Sequence, residues 1–153
     1  MISKSSSSMT LRQLEKNAKA FFDSGYNCAE SILTAILEAF AEEIPRDVPR
    51  SASAFGGGIG GSHDGPCGAL SGGVIAIGYL LGRAQPGENL AAAKAIAAKF
   101  QQRHNDFYGT TNCRELLDKF GSQEDDRKCQ EMVGKMAGVL ARLLQDHGLK
   151  MRR

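Results

Sequence analysis

A chain of 153 residues with 42% hydrophobic content can bury one core of its own and is too short for two ordinary domains. Its net charge of +2 comes from 19 basic and 17 acidic side chains spread along the sequence, which offers no basic stripe of the kind nucleic acid requires. The most apolar stretch, Ala69 to Gly82, is interrupted by glycines and ends at Arg83, short of the roughly 20 residues of a membrane span, so no membrane insertion is expected.

Residues 1–9 read as a disordered, serine-rich tail without the apolar centre of a secretory signal, and a cytoplasmic, reducing setting follows as an expectation. Thr10 caps a first helix to about Phe22, with Leu11, Leu14, Ala18, Phe21 and Phe22 inward. A second helix runs from Cys28 to about Glu42 on a stripe of Cys28, Ala29, Ile32, Leu33, Ile36, Leu37 and Phe40, and Pro45 and Pro49 break the chain after it. A helical turn over about Pro49–Phe55 leads into the glycine run Gly56–Gly61 and then Ser62-His63-Asp64-Gly65. Pro66 suits a first helical position, which places Cys67 in the opening turn of a nearly all-apolar helix with Leu70, Val74, Ile77 and Leu81 on its stripe. That helix is the expected centre of the fold. An alanine-rich helix follows over about Glu88–Phe107, and its Asn89–Phe100 part is a candidate homodimer face. A short helix carries Cys113, Leu116, Leu117 and Phe120, and a last one, opened by Gly121-Ser122, turns Cys129, Met132, Val133, Met136, Ala137, Leu140 and Leu143 inward. The prediction is an all-α, single-domain bundle of five to six helices over residues 10–147, with a glycine-rich loop before the central helix and a basic tail over 148–153.

Each of the four cysteines falls at or near a helix start. Asn27-Cys28-Ala29-Glu30 and Asn112-Cys113-Arg114-Glu115 both read as an Asn cap, a Cys in the first position and a Glu in the third. A thiol there faces unpaired N–H groups and the positive end of the helix dipole, which favours its thiolate. The separations of 39, 46 and 16 positions match neither a thioredoxin-type pair nor a zinc ribbon. Spacing alone therefore leaves open a shared sulfur site or four separate core thiols. Around Cys67, His63 is a candidate base or ligand, and Gly57, Gly58, Gly60 and Gly68 are candidates for close backbone approach to a cofactor. Gly72, Gly73 and Gly78 suit helix packing, Met132 and Met136 the core, and Arg127 and Lys128 are neighbours able to lower the pKa of Cys129.

One Cys after Tyr26-Asn27, then Cys67-Gly68-Ala69-Leu70-Ser71-Gly72, then two single cysteines resembles the small redox-active proteins labelled the C_GCAxxG_C_C family, over about Leu11–Leu144. The central segment here reads CGAxxG. The resemblance implies a helical fold and a redox role, and names no substrate. If Cys28, Cys67, Cys113 and Cys129 converge, they suit an iron–sulfur cluster and electron transfer with a redox partner protein. If only pairs approach, Cys67 and a partner suit thiol–disulfide exchange, and a structural zinc site or core cysteines in a helical module are the remaining alternatives.

Overall fold

The computed structural model describes residues 8–152, so most of the predicted N-terminal tail and the terminal Arg153 lie outside the described residues. Six α-helices and one 3-10 helix, over Pro49–Phe55, follow in order: α1 (Leu11–Asp23), α2 (Cys28–Phe40), α3 (Gly68–Leu81), α4 (Ala91–Tyr108), α5 (Cys113–Phe120) and α6 (Arg127–Asp146). The fold is all-α, as the periodicity predicts. The only pairing outside helices among the described residues is an isolated antiparallel bridge between Pro66 and Asn112.

Local sequence sets the helix starts. Thr10 and Asn27 form complete capping boxes with Gln13 and Glu30, closing α1 and α2 at their predicted first residues. Asn112 caps α5 through the Glu115 N–H, but the Glu115 carboxylate turns to the Thr110 hydroxyl instead of back to the cap. Two starts differ from expectation. Cys67 is itself the cap residue of α3, with extended backbone. The last helix opens at Arg127 instead of near Ser122, because Asp125 and Asp126 take left-handed conformations and Gln123 reaches forward to accept the Lys128 and Cys129 N–H groups at 2.8 and 3.1 Å.

The buried centre is α2, not α3. Ten of its 13 residues are buried, including Ser31 and Thr34 as well as every member of the predicted stripe except the half-buried Cys28, because α1, α3, α6 and the 3-10 helix surround it. The apolar α3 instead leaves Val74 and Tyr79 about 40% exposed, so Val74 is not part of the inward stripe. Close crossing sets how these helices meet. A Cβ at Gly72 would press on the Ala29 backbone of α2, and one at Gly73 on the Phe100 ring of α4, whereas Gly78 faces open space and does not serve packing.

The chain's end is fastened rather than loose. Met151 is buried, the Arg152 N–H bonds the Ala39 carbonyl at 2.7 Å, and its guanidinium bonds the Ala41 carbonyl at 2.9 Å. These carbonyls at the end of α2 lack helical partners, and the basic segment supplies donors. No helix among the described residues is long and apolar enough to cross a membrane.

His104 on α4 is fully buried, neither ring nitrogen has a hydrogen-bond partner, and its ring packs 5.3 Å from that of Tyr108. Burial holds its pKa below the ordinary histidine range, against the opposing effect of the Thr110 backbone. The fold therefore keeps the ring neutral while the unfolded chain takes up a proton near pH 6.5. Stability is fully present above that pH and falls as pH drops toward the depressed folded value. Denaturant midpoints measured from pH 7.5 to 5 should show this decline, and His104→Phe should flatten it.

Candidate functional site: four thiols around one cavity

The left-handed turn before α3 builds one wall. Gly57 to Gly61 all have positive φ, including Ile59 at +69°, an uncommon conformation for a β-branched residue that costs on the order of 1–2 kcal/mol. This turn folds the chain back so that the His63 N–H reaches the Gly57 carbonyl at 2.8 Å and the Gly65 N–H reaches that of Gly58 at 2.9 Å. Gly58 is buried there, and only glycine fits, because a Cβ would meet that of Cys113 at 2.6 Å.

The same loop is sewn to the start of α5. Cys113 N–H bonds the Gly65 carbonyl at 2.9 Å, Arg114 N–H the His63 carbonyl at 2.8 Å, and Cys67 N–H the Thr111 carbonyl at 2.6 Å. The Arg114 guanidinium adds two donors to one Asp64 oxygen, at 2.7 and 3.1 Å, and one to the Ser62 carbonyl at 2.9 Å. His63 and Asp64 thus serve partly as fasteners. The first two N–H groups of α5 are already engaged, so its N-terminus is not open to a ligand.

Cys28, Cys67, Cys113 and Cys129, with His63, Gly57 and Gly68, line a single cavity of about 400 Å³, within the range of small-ligand pockets. Phe22, Tyr26, Leu116 and Met132 make much of the remaining wall apolar. Four sequence-distant thiols are brought together by α2, α3, α5 and α6. Cys28 Sγ lies directly over Gly68, where any Cβ would collide with it. Cys67 is 3% exposed, with its sulfur 4.0 Å from the Met132 sulfur. Gly60 lies outside this lining and faces open space.

Electrostatics run against the thiolate expectation. Burial pushes Cys67 strongly up, neighbouring Cys28 adds to the rise, and the Ala69 and Leu70 N–H groups at the helix start only partly offset it. Cys113 is pushed up to about 11, by burial first and then by Cys28 and Cys129. Cys129 is also raised, by burial first, against a 3.3 Å hydrogen bond from the Gln123 amide. Arg127 and Lys128 are exposed and do not enter that balance. The helix-terminus effect exists at Cys67, but desolvation is larger, so without a cofactor Cys67, Cys113 and Cys129 are held as thiols near neutral pH.

Met132, on the cavity wall, and Gln123, which hydrogen-bonds the Cys129 sulfur, are the residues that sequence reasoning missed in these roles. A glutamine six positions before a cysteine carries no helical periodicity, and Met132 reads equally well as core. Among the described residues no three His, Cys, Asp or Glu side chains stand close enough to hold one metal ion.

No curated protein and no solved structure matches the chain. The family model described as "Putative redox-active protein (C_GCAxxG_C_C)" matches residues 26–143, a span that contains the glycine turn, all four cysteines and Met132, and the chain belongs to that family.

Proposed function

We propose that the protein is an electron carrier whose four cysteines hold an iron–sulfur cluster. The observation that carries the reading is the convergence of Cys28, Cys67, Cys113 and Cys129 on one cavity from four different helices. A tetrahedral zinc site with Zn–S of about 2.3 Å draws its sulfurs to about 3.8 Å from one another. The thiols here are not gathered into a single-ion group, and a roomy cavity ringed by separated thiols suits a polynuclear cluster better. When bound, such a cluster accepts one electron from a donor and passes it to an acceptor.

The chain's own residues supply the rest. Phe22, Leu116 and Met132 give the cavity apolar walls, Gly68 leaves the space that Cys28 Sγ occupies, Gly57 permits the close turn against Gly61, and the Gln123 amide donates toward the Cys129 sulfur. Loading requires loss of the thiol protons, which the raised pKa values oppose in the empty site and metal ligation makes favourable. His63, half-buried on the same cavity wall, would receive one of them in this reading.

A second reading rests on the contact of Cys28 Sγ with Gly68, next to Cys67. Those two thiols would form a disulfide by giving two electrons and two protons to a protein or small-molecule disulfide.

The test is purification without oxygen, followed by the visible spectrum and by iron, acid-labile sulfide and zinc content. Sulfur-to-iron charge-transfer bands with matching iron and sulfide are the expected result. A protein that stays colourless after reconstitution with iron and sulfide refutes the cluster. Reversible loss of two titratable thiols in that sample would transfer the assignment to the disulfide reading.

A further inference from the structure

A second cavity, of about 460 Å³, opens between α5 and α6 against the end of α4. Its polar lining is dominated by Arg127, Lys128 and Lys135, and its apolar lining by Tyr108 and Phe120. The three cations are exposed and have no ion-pair partner among the described residues. Lys135 sits 4.0 Å above the Phe107 ring, and the Lys128 ammonium leans on the Phe120 carbonyl at the end of α5, which fixes both charges along one face. Glu131, the one carboxylate of the lining, pairs outward at 3.5 Å with Lys19 of α1. Asp126, just before Arg127, lines the cysteine cavity and not this groove.

The two cavities share Met132, whose sulfur is 4.0 Å from that of Cys67. The groove floor is thus one side chain from the most buried thiol. Phe107, 48% exposed, extends the aromatic rim. An open, cationic and aromatic groove is suited to a brief, charge-steered encounter with another protein, and electron-transfer contacts are the small, transient kind.

We infer that this groove docks an acidic surface of the protein's electron-transfer partner, with Met132 as the bridge between that surface and Cys67. The inference rests on the redox reading of the cysteine cavity. Arg127, Lys128 and Lys135 steer and hold carboxylates of the partner, while Tyr108 and Phe120 supply the apolar contact.

The test uses the full chain, purified without oxygen, and a fluorescent poly-L-glutamate of about 20 residues as the acidic probe, long enough to span a groove of this kind. Binding is read by anisotropy at low and at physiological salt. The expected result is saturable binding that weakens at least about tenfold with salt, as exposed charge contacts do. Binding should be abolished in R127E/K128E/K135E and retained in R83E/K94E/K99E, a reversal of equal charge on remote exposed residues. Equal loss in both variants would overturn the inference, since only net charge would then matter. So would absence of binding to the parent chain, or full displacement by inorganic phosphate at equal carboxylate-equivalent concentration, which would make the groove a small-anion site. Metal, sulfide and thiol content are measured in each variant. A metal-free protein that still binds through the groove would count against the cluster alone, and a loaded protein that ignores the probe would count against the groove alone.

Discussion

Gly72→Ala should lower stability by about 2 kcal/mol, the difference between an overpacking cost toward the upper end of the usual 1–3 kcal/mol and the roughly 1 kcal/mol of helix propensity that alanine regains over glycine. The cost is high because the added methyl meets the Ala29 Cα at 2.7 Å and its carbonyl carbon at 2.8 Å, and lies closer still to its oxygen. These are backbone atoms of the central helix α2, so no side chain can rotate away. Separating α2 from α3 would also move Cys28 relative to Cys67, because both cysteines lie at the starts of these crossing helices. For a chain of this size the loss corresponds to a fall in Tm of about 4–8 °C. Gly78→Ala in the same helix should have the opposite sign. A methyl there meets nothing within 4 Å, so only the propensity gain of about 1 kcal/mol remains. Thermal unfolding of both variants beside the parent chain checks the pair. Equal effects would mean that the close crossing at Ala29 is relieved at little cost.

The pair also marks what periodicity can read. Gly72 and Gly78 look alike in an apolar run, and only the position of α2 separates them. The same limit explains why α3 reads as the centre of the fold: its apolar composition exceeds that of α2, yet Val74 and Tyr79 face out. Burial depends on how many neighbours a helix receives, which no single segment encodes. Helix starts were far more legible, because Thr10, Asn27 and Asn112 act through hydrogen bonds within three residues. Gln123 acts across six positions and through a turn with two left-handed aspartates, so α6 starts later than the periodicity predicts. The cysteines were legible as a set through their placement at helix starts. Their ionisation was not, because a dipole argument considers the helix end alone while burial is a property of the assembled cavity.

If the four thiols hold a cluster, Cys28→Ser should cost the protein its iron and acid-labile sulfide while leaving the fold in place. Among the four thiols Cys28 is the common neighbour: it raises the pKa of Cys67, of Cys113 and of Cys129. It is half-buried at the first position of α2, capped by Asn27, where a serine hydroxyl of similar size is readily accommodated. On the cluster reading Cys28 is a direct ligand, whose loss exceeds the 10–100-fold cost typical of outer-shell changes, so iron and acid-labile sulfide should fall to background after anaerobic purification. Far-ultraviolet circular dichroism should remain that of the parent. Cys67→Ser, Cys113→Ser and Cys129→Ser should behave alike, because a cluster needs every ligand. The disulfide reading makes a different forecast from the same four variants. Only Cys28→Ser and Cys67→Ser would then lose reversible oxidation, while Cys113→Ser and Cys129→Ser would keep it, since Gly68 sets Cys28 against the Cys67 end of α3. A four-fold equal loss points to one centre shared by all the thiols, a two-and-two split to a pair, and four unchanged variants to thiols that serve only the core.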